Sequence, residues 1–319
     1  MKKMIFTIIV LIVSVSAFMY YLNSPPGNMQ EPSFAVHHGE SITMIAGNLE
    51  KQGLIKNKNF FVYLSYALKR RYIPSGNYQF TQDNTTVDIL IKLTRGEFIS
   101  KKIVIPEGFN MYQIADRLEA NKICTAAGFL SSAADSEFLK SVRIDSPSAE
   151  GYLFPDTYVF PEGTNPRDII AVMRRKMERV MGDFTRKRSN RSSHEILTLA
   201  SLIEREAKIP TERGLISSVF HNRLMKRMKL DCDPTVRYAT KKFTGPITVS
   251  ELNTDSPYNT YKVTGLPPTP ICSPGRGSIV AAVEPDTTDY LYFVAKKDGT
   301  HHFSKTLKEH MNAVRQFRR

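Results

Sequence analysis

Apolar positions in this chain fall into three regimes: one unbroken run, then two stretches of helical periodicity that resemble each other, then short periodic segments set among loops. Residues Met4 to Leu22 are almost wholly apolar and uncharged. About 19 such residues wound as a helix can cross a bilayer. Lys2 and Lys3 precede the run, and no Lys or Arg follows until Lys51. That asymmetry predicts the N-terminus in the cytoplasm and the bulk of the chain outside. Val15-Ser16-Ala17 is a tolerable signal-peptidase site, but apolar character continues through Phe18 to Leu22, which favours an anchor over a cleaved leader. Either reading exports the chain. Asn23 to Glu31 (NSPPGNMQE) reads as a Pro/Gly linker.

The second regime repeats. GESITMIAGNLEKQGLI from Gly39 aligns with GFNMYQIADRLEANKIC from Gly108, an offset of 69. The matches are Gly39/Gly108, Ile42/Met111, Ile45/Ile114, Ala46/Ala115, Leu49/Leu118, Glu50/Glu119 and Leu54/Ile123. Their i, i+3, i+7 spacing predicts an amphipathic helix in each copy. Short strand-like runs, Phe34 to Val36 and Lys102 to Ile105, precede them. YQFTQDNTTVDILIKL from Tyr78 likewise matches YVFPEGTNPRDIIAVM from Tyr158 at an offset of 80, through Tyr78/Tyr158, Phe80/Phe160, Asp88/Asp168 and Ile89/Ile169. The implied unit is strand–helix–spacer–strand–helix, duplicated with an insertion in the second copy.

The third regime is mixed. His194 to Lys208 reads as a helix broken at Pro210, and Glu212 to Lys229 as a second helix. Asp231 to Pro234 reads as a turn, and Ser250 to Tyr258 as a short segment with Glu251 in a helical turn. Gly265 to Gly277 carries four of the chain's 18 prolines and must be extended loop. Ser278 to Val283 is a short helix. Leu291 to Ala295 and His301 to Phe303 are strands joined at Asp298-Gly299, and Ser304 is expected to cap a terminal helix containing Glu309. The fold class is thus α+β: an N-terminal transmembrane helix, duplicated strand–helix modules, and a C-terminal mixed α/β domain. The boundaries expected are 1–23 (cytoplasmic tip and anchor), 24–33 (linker), 34–100 and 101–188 (the two modules, the second with a connecting helix) and 189–319 (the C-terminal domain).

The formal charge of +13 suits anionic lipid headgroups or wall-peptide carboxylates as partners, or simply a solvated basic surface; export argues against nucleic acid. The densest basic run, Arg174 to Arg191, reads as exposed helix and linker. Cys124, Cys232 and Cys272 make an odd count without a CxxC, which argues against a disulfide scaffold or zinc site; an oxidising compartment would allow a Cys232–Cys272 bridge, and a cysteine nucleophile is disfavoured because no His lies within a few residues of any cysteine. The histidines lack metal-ligand spacing, so no metal or cofactor is expected.

Chemistry concentrates late. HEILTLASLIEREAK, VFHNRL, DPTVRY, YNTY and GLPPTPICSPG pair helical glutamates with Asn, Asp, Thr and Tyr from later segments. Such side chains suit a carbohydrate: a carboxylic acid protonates a glycosidic oxygen, amides and carboxylates meet hydroxyls, and rings cover sugar faces. On a helical wheel Glu204 and Glu206 lie roughly 160° apart at opposite edges of an apolar face, so one helix cannot aim both into one cleft. Periodicity does not choose between them. The ordered motifs ASLIEREA, VFHNRL, DPTV, YNTY, GLPP and YLYFV, with EGYLFPDTY upstream, resemble the YceG-like family of endolytic murein transglycosylases.

That resemblance implies a membrane-anchored lytic transglycosylase, a carbon–oxygen lyase that cuts MurNAc–GlcNAc bonds in peptidoglycan without water and leaves 1,6-anhydro ends. It implies peptidoglycan strands, the cytoplasmic membrane and cell-wall synthases as partners, termination of nascent strands as the role, and LysM-like character for the duplicated modules. It puts the acid/base at Glu206, with Glu204 and Asp233 secondary. Asn222, Thr235, Tyr258, Asn259, Tyr261 and Pro267 would contact substrate. One carboxyl suffices if the substrate's own 6-hydroxyl is the nucleophile, provided apolar packing, as from Leu199 and Leu202, keeps it protonated near neutral pH. The competing readings are a muramidase with Asp233 or Glu212 as second carboxylate, and a non-enzymatic glycan-binding scaffold. An aminodeoxychorismate lyase, needing a pyridoxal-phosphate lysine and the cytosol, fits an exported chain poorly.

Overall fold

The apolar run forms helix α1 (Lys2–Asn23), long and apolar enough to cross a membrane, with a mean hydropathy of 2.4. The computed structural model describes residues 2–27, 33–37, 39–97, 99–188 and 191–317, with side chains of 2 and 183–188 excepted. Residues 28–32 of the 24–33 linker, His38, and the 189–190 boundary therefore lie outside the described residues.

The chain folds into two units. One comprises Met1–Lys102, Asn121–Cys124 and Val159–Asn165; the other comprises Ile103–Ala120, Thr125–Tyr158 and Pro166–Arg319. In the first, β1 (Ser33–Val36), α2 (Ile42–Lys51), α3 (Lys58–Ala67), β2 (Gly76–Gln79) and α4 (Thr86–Arg95) follow α1. Strands β1 and β2 pair antiparallel, with Phe34 opposite Tyr78. Phe34, Val36, Ile45, Leu49, Phe61, Tyr78, Ile89 and Leu93 form one core. The end of α1 is held to this core: Lys56 Nζ donates to the Tyr21 carbonyl and to Ser24 Oγ, and Thr86 Oγ1 to the Leu22 carbonyl.

Next come β3 (Ser100–Val104), α5 (Met111–Ala120), α6 (Ala126–Ser132), α7 (Ser136–Ser141), β4 (Thr157–Pro161) and α8 (Pro166–Arg188). The duplication expected from sequence reaches backbone detail. Helices α2 and α5 each span ten residues and start 69 apart, and α4 and α8 start 80 apart. Gly39 and Gly108 both take a left-handed backbone, φ +83° and +78°, which only glycine adopts without strain. Tyr78 and Tyr158 each donate from their hydroxyl to the carbonyl four residues back, at 2.6 Å. The basic run continues as helix to Arg188, but Arg174 is no free surface cation: it lies over the Tyr152 ring and donates to the Arg143 carbonyl.

The remainder holds α9 (Ser193–Glu206), a 3-10 turn at Pro210–Glu212, α10 (Arg213–Met225), α11 (Asp233–Thr240), α12 (Val249–Leu252), α13 (Arg276–Val283), the antiparallel pair β5 (Tyr292–Ala295) and β6 (His301–Ser304), and α14 (Leu307–Phe317). Two expectations are corrected. Asp231 to Pro234 is not a turn, since Asp233 and Pro234 start α11: proline at the first helical turn lacks only an N–H that has no partner there, and its fixed φ suits the helix. Ser304 belongs to β6; the donor at the start of α14 is received by Thr306 Oγ1 from Glu309 N.

Candidate active site

Helix α9 is the axis of the site. Its start is set by a capping box: Ser192 Oγ accepts from Glu195 N, and Glu195 Oε2 accepts from Ser192 N. From Ile196 to Ile203 every residue is buried. It stops at Glu206, two residues short of the expected end. Pro210 biases Ile209 away from helical backbone, and Ala207 is already extended at ψ 106°.

The proline-rich loop is a strap along this helix. Pro268 O accepts from His194 Nε2 at 2.8 Å, which leaves His194 Nδ1 to accept from the Tyr152 hydroxyl. Ile271 N donates to Ser201 Oγ, Cys272 Sγ to Ser201 O, and Gly275 N to Glu204 Oε2. The strap also pairs with the loop before α5, through Gly108 N to Ser273 O and Ser273 N to Phe109 O. Gly151 permits the approach: its φ is +78°, and a Cβ there would strike the Pro270 ring. Gly151→Ala should cost about 3 kcal/mol or more from left-handed strain plus overpacking. A melting temperature equal to the parent's would refute this close packing.

Glu206 sits at the last residue of α9 and keeps part of its surface open. Cys232 Sγ donates to its Oε1 at 3.2 Å. Burial pushes its carboxyl up to about 7; the Cys232 hydrogen bond pulls down, the Asp233 charge pushes up, and Arg205 and Lys208 pull down. The negative end of the helix dipole acts in the same direction as burial. Among the described residues no ion pair takes up Glu206. Asp233 opens α11, is exposed, and accepts from the Tyr261 hydroxyl at 2.5 Å. The structure thus brings Glu206, Cys232, Asp233 and Tyr261 into one cluster.

Glu204 leaves the helix elsewhere, as the wheel requires. Its Oε2 accepts from Gly275 N, its Oε1 lies 3.6 Å from Arg213, and its side chain is 8% exposed. Arg213 also reaches Glu107, whose carboxyl is raised by burial and by Glu204. Glu204 is therefore a tie between α9, the strap and α10.

The other expected contacts are mostly taken up by the fold. Asn222 Nδ2 donates to the Thr288 and Tyr290 carbonyls. Its neighbour Arg223 binds the Leu291, Lys229 and Leu230 carbonyls and Asp231, fixing the chain that leads to Cys232. Thr235 is buried, donates to Cys232 O and shares a hydrogen bond with Thr260 Oγ1. Asn259 is buried and donates to Leu252 O and Thr254 O. Tyr258 pairs its hydroxyl with Thr269 and its ring with Tyr238. Pro267 lines an open depression of 460 Å³ with His194, Glu195, Leu224 and Met225. Glu195 is eleven residues before Glu206, about 16 Å along the helix axis, so this depression lies at the far end of α9 from the acid. Glu212, the alternative second carboxylate, is bound twice by His301, from backbone N at 2.9 Å and from Nδ1 at 2.6 Å.

Sequence reasoning passed over Glu150. Fully buried, it accepts from Met111 N with both oxygens and from the Tyr238 hydroxyl. Burial raises it to about 7 against the pull of those donors. Its only sequence signal is its place at the head of EGYLFPDTY, since its partners lie 39 and 88 residues away. Cys232 was likewise weighed only as a disulfide partner, zinc ligand or nucleophile, not as a partner of the acid; no disulfide joins it to Cys124 or Cys272.

The profile of the YceG-like family matches residues 34–316. A protein of Bacillus subtilis (strain 168) named endolytic murein transglycosylase is 36% identical over 297 residues, spanning 88% of this chain and 82% of its own length. A protein of the same name from Streptococcus pneumoniae serotype 2 is 32% identical over 311 residues, 86% of this chain but 56% of the relative. A crystal structure of a YceG-like protein of Listeria monocytogenes superposes with a TM-score of 0.61 at 36% identity, covering 90% of this chain and all of that one.

Proposed function

The chain belongs to the YceG-like family, and from that premise we propose that it is an endolytic lytic transglycosylase of peptidoglycan with Glu206 as its acid and base. The observation that carries this reading is a carboxyl at the end of a rigid buried helix, partly open and pushed by burial up to about 7, with an exposed carboxylate on the adjoining helix. The names of the relatives supply the substrate class.

In the proposed reaction Glu206 gives its proton to the oxygen of a MurNAc–GlcNAc bond as that bond breaks. Positive charge develops on the sugar ring, and Asp233, oriented by Tyr261, stabilises it. The MurNAc 6-hydroxyl then attacks its own C1 and returns its proton to the Glu206 carboxylate. A 1,6-anhydro ring forms, no water is consumed, and the enzyme is restored. A muramidase would instead add water. Mass spectrometry of products from purified glycan separates the two: anhydro-ended fragments are expected, each lighter by one water than a hydrolytic fragment. Reducing MurNAc ends alone would make the protein a hydrolase.

The protonation state gives a pH dependence. The free enzyme must hold the proton, so kcat/KM should fall as pH rises through about 7, approaching tenfold per unit above it. A profile still rising above pH 8 would rule out Glu206 as the acid.

The same reading makes α1 a single-pass anchor in the cytoplasmic membrane with the enzyme outside, supported by its length and by Lys2 and Lys3 before it. It makes residues 34–100 and 101–188 LysM-like glycan-gripping modules preceding a catalytic region at 189–319, supported by their duplicated plan. Cell-wall synthases, whose nascent strands such an enzyme would end, are the partners proposed. Failure of the chain to sediment with insoluble peptidoglycan under conditions where Glu206→Gln blocks cutting would leave the modules as scaffold.

A further inference from the structure

Glu206 has two carboxyl oxygens, and the fold treats them differently. Oε1 receives the Cys232 thiol at 3.2 Å. Cys232 itself is 1% exposed and clamped at both backbone ends. Its N–H donates to Thr260 Oγ1 at 3.0 Å, and its carbonyl accepts from Thr235 N at 3.0 Å and Thr235 Oγ1 at 2.7 Å. Thr235 and Thr260, joined to each other at 2.9 Å, are fully buried. This buried hydroxyl pair therefore aims the thiol, and Thr235 serves the site from behind.

Resting on the reading of Glu206 as acid and base, we propose that Cys232 is a positioning residue for the reaction: its thiol holds Oε1 and leaves Oε2 to carry and transfer the proton. A thiol has one proton to donate, and a carboxyl proton is disfavoured on the oxygen already receiving a donor. Burial and the Glu206 carboxylate push the Cys232 thiol well above its ordinary range, so it remains S–H through both halves of the cycle. The other groups bearing on Glu206 are Asp233, Arg205 and Lys208. Among the described residues, none of these donates to either oxygen. Cys272 does not compete as a disulfide partner, since its own thiol donates to Ser201 O on the strap side of α9. The contact also sets the acid's strength, because a donor to Oε1 favours the carboxylate. Without it, the proton is held more tightly and is less directed.

The test compares the full chain with Cys232→Ala, Cys232→Ser and Glu206→Gln. The Glu206 carboxyl is titrated by carbon-13 NMR, with Glu206→Gln identifying its signal, and anhydro-end release is followed against pH. Cys232→Ala should raise the Glu206 titration midpoint by about 0.5–1 pH unit, the worth of one hydrogen bond to a carboxylate. The alkaline limb of the rate profile should move by the same amount. Cys232→Ser, a stronger donor, should move both below the parent's position. A purely structural cysteine would alter the melting temperature and leave both midpoints in place. If Cys232→Ala and Cys232→Ser titrate like the parent, the proposal is overturned; if the alanine variant does not fold, equal midpoints for serine and cysteine overturn it. An active Glu206→Gln would instead sink the acid/base assignment on which the proposal rests, whereas an inactive one with unmoved midpoints removes only the role of the thiol.

Discussion

Glu206→Gln is expected to lose about 10²–10⁴-fold in the release of anhydro-ended fragments, the range for removal of a general acid, and to fall at the severe end because one group serves both proton transfers. The amide preserves shape and can still accept from Cys232, so the loss would not reflect misfolding. Glu204→Gln is the informative control. It retains an oxygen to accept from Gly275 N but gives up the charge facing Arg213. It should therefore cost about 1–2 kcal/mol of stability and reduce turnover by about tenfold or less, since its bonds hold the strap rather than the substrate. Fragment release and thermal melting on both variants decide the matter. A folded, inactive Glu204→Gln beside an active Glu206→Gln would reverse the assignment.

The largest effect on stability is expected at Glu150. Cutting it back to alanine strands Met111 N at the start of α5 and the Tyr238 hydroxyl on α11, both inside protein, and should cost about 3–5 kcal/mol. Its ionisation leaves a separate mark. The folded carboxyl titrates near 7, above the unfolded value of about 4.3. The folded state thus binds the extra proton between those limits. The corresponding stability is fully present below about pH 4.3, is lost as pH rises through about 7, and stays lost above it. Glu150→Gln cannot titrate. Between pH 5 and pH 8 the parent should lose about 2–3 kcal/mol more than this variant, an order-of-magnitude figure. Urea melts at the two pH values measure it, and parallel losses would place the Glu150 carboxyl in ordinary solvent.

The α1 run, the matched helices α2, α4, α5 and α8, helix α9, and the β5–β6 hairpin were legible from the sequence, because each rests on periodicity within a few residues. The wheel separated Glu204 from Glu206 for the same reason: angle along a helix is a local quantity. The error at DPTVRY was also local. Asp231 to Pro234 was read as a turn, although a proline in the first turn of a helix can begin one. The short helices α3, α6 and α7 went unread as spacers between matched segments.

What each glutamate experiences was decided only in three dimensions. The Glu206 carboxyl is raised by burial and by the Asp233 charge against the pull of the Cys232 thiol, groups that lie 27 and 26 positions later in the chain. Glu204 becomes a tie because a strap 71 residues away reaches it. Asn222, Thr235 and Asn259 carry residue types suited to a sugar, yet the folded chain's own carbonyls and hydroxyls claim them. The spacing of residue types along the sequence determined which groups this protein has for glycan chemistry. Burial and hydrogen bonding among distant segments determined which carboxyls are raised toward neutral pH, because desolvation depends on everything packed around a group and not on its neighbours in the chain.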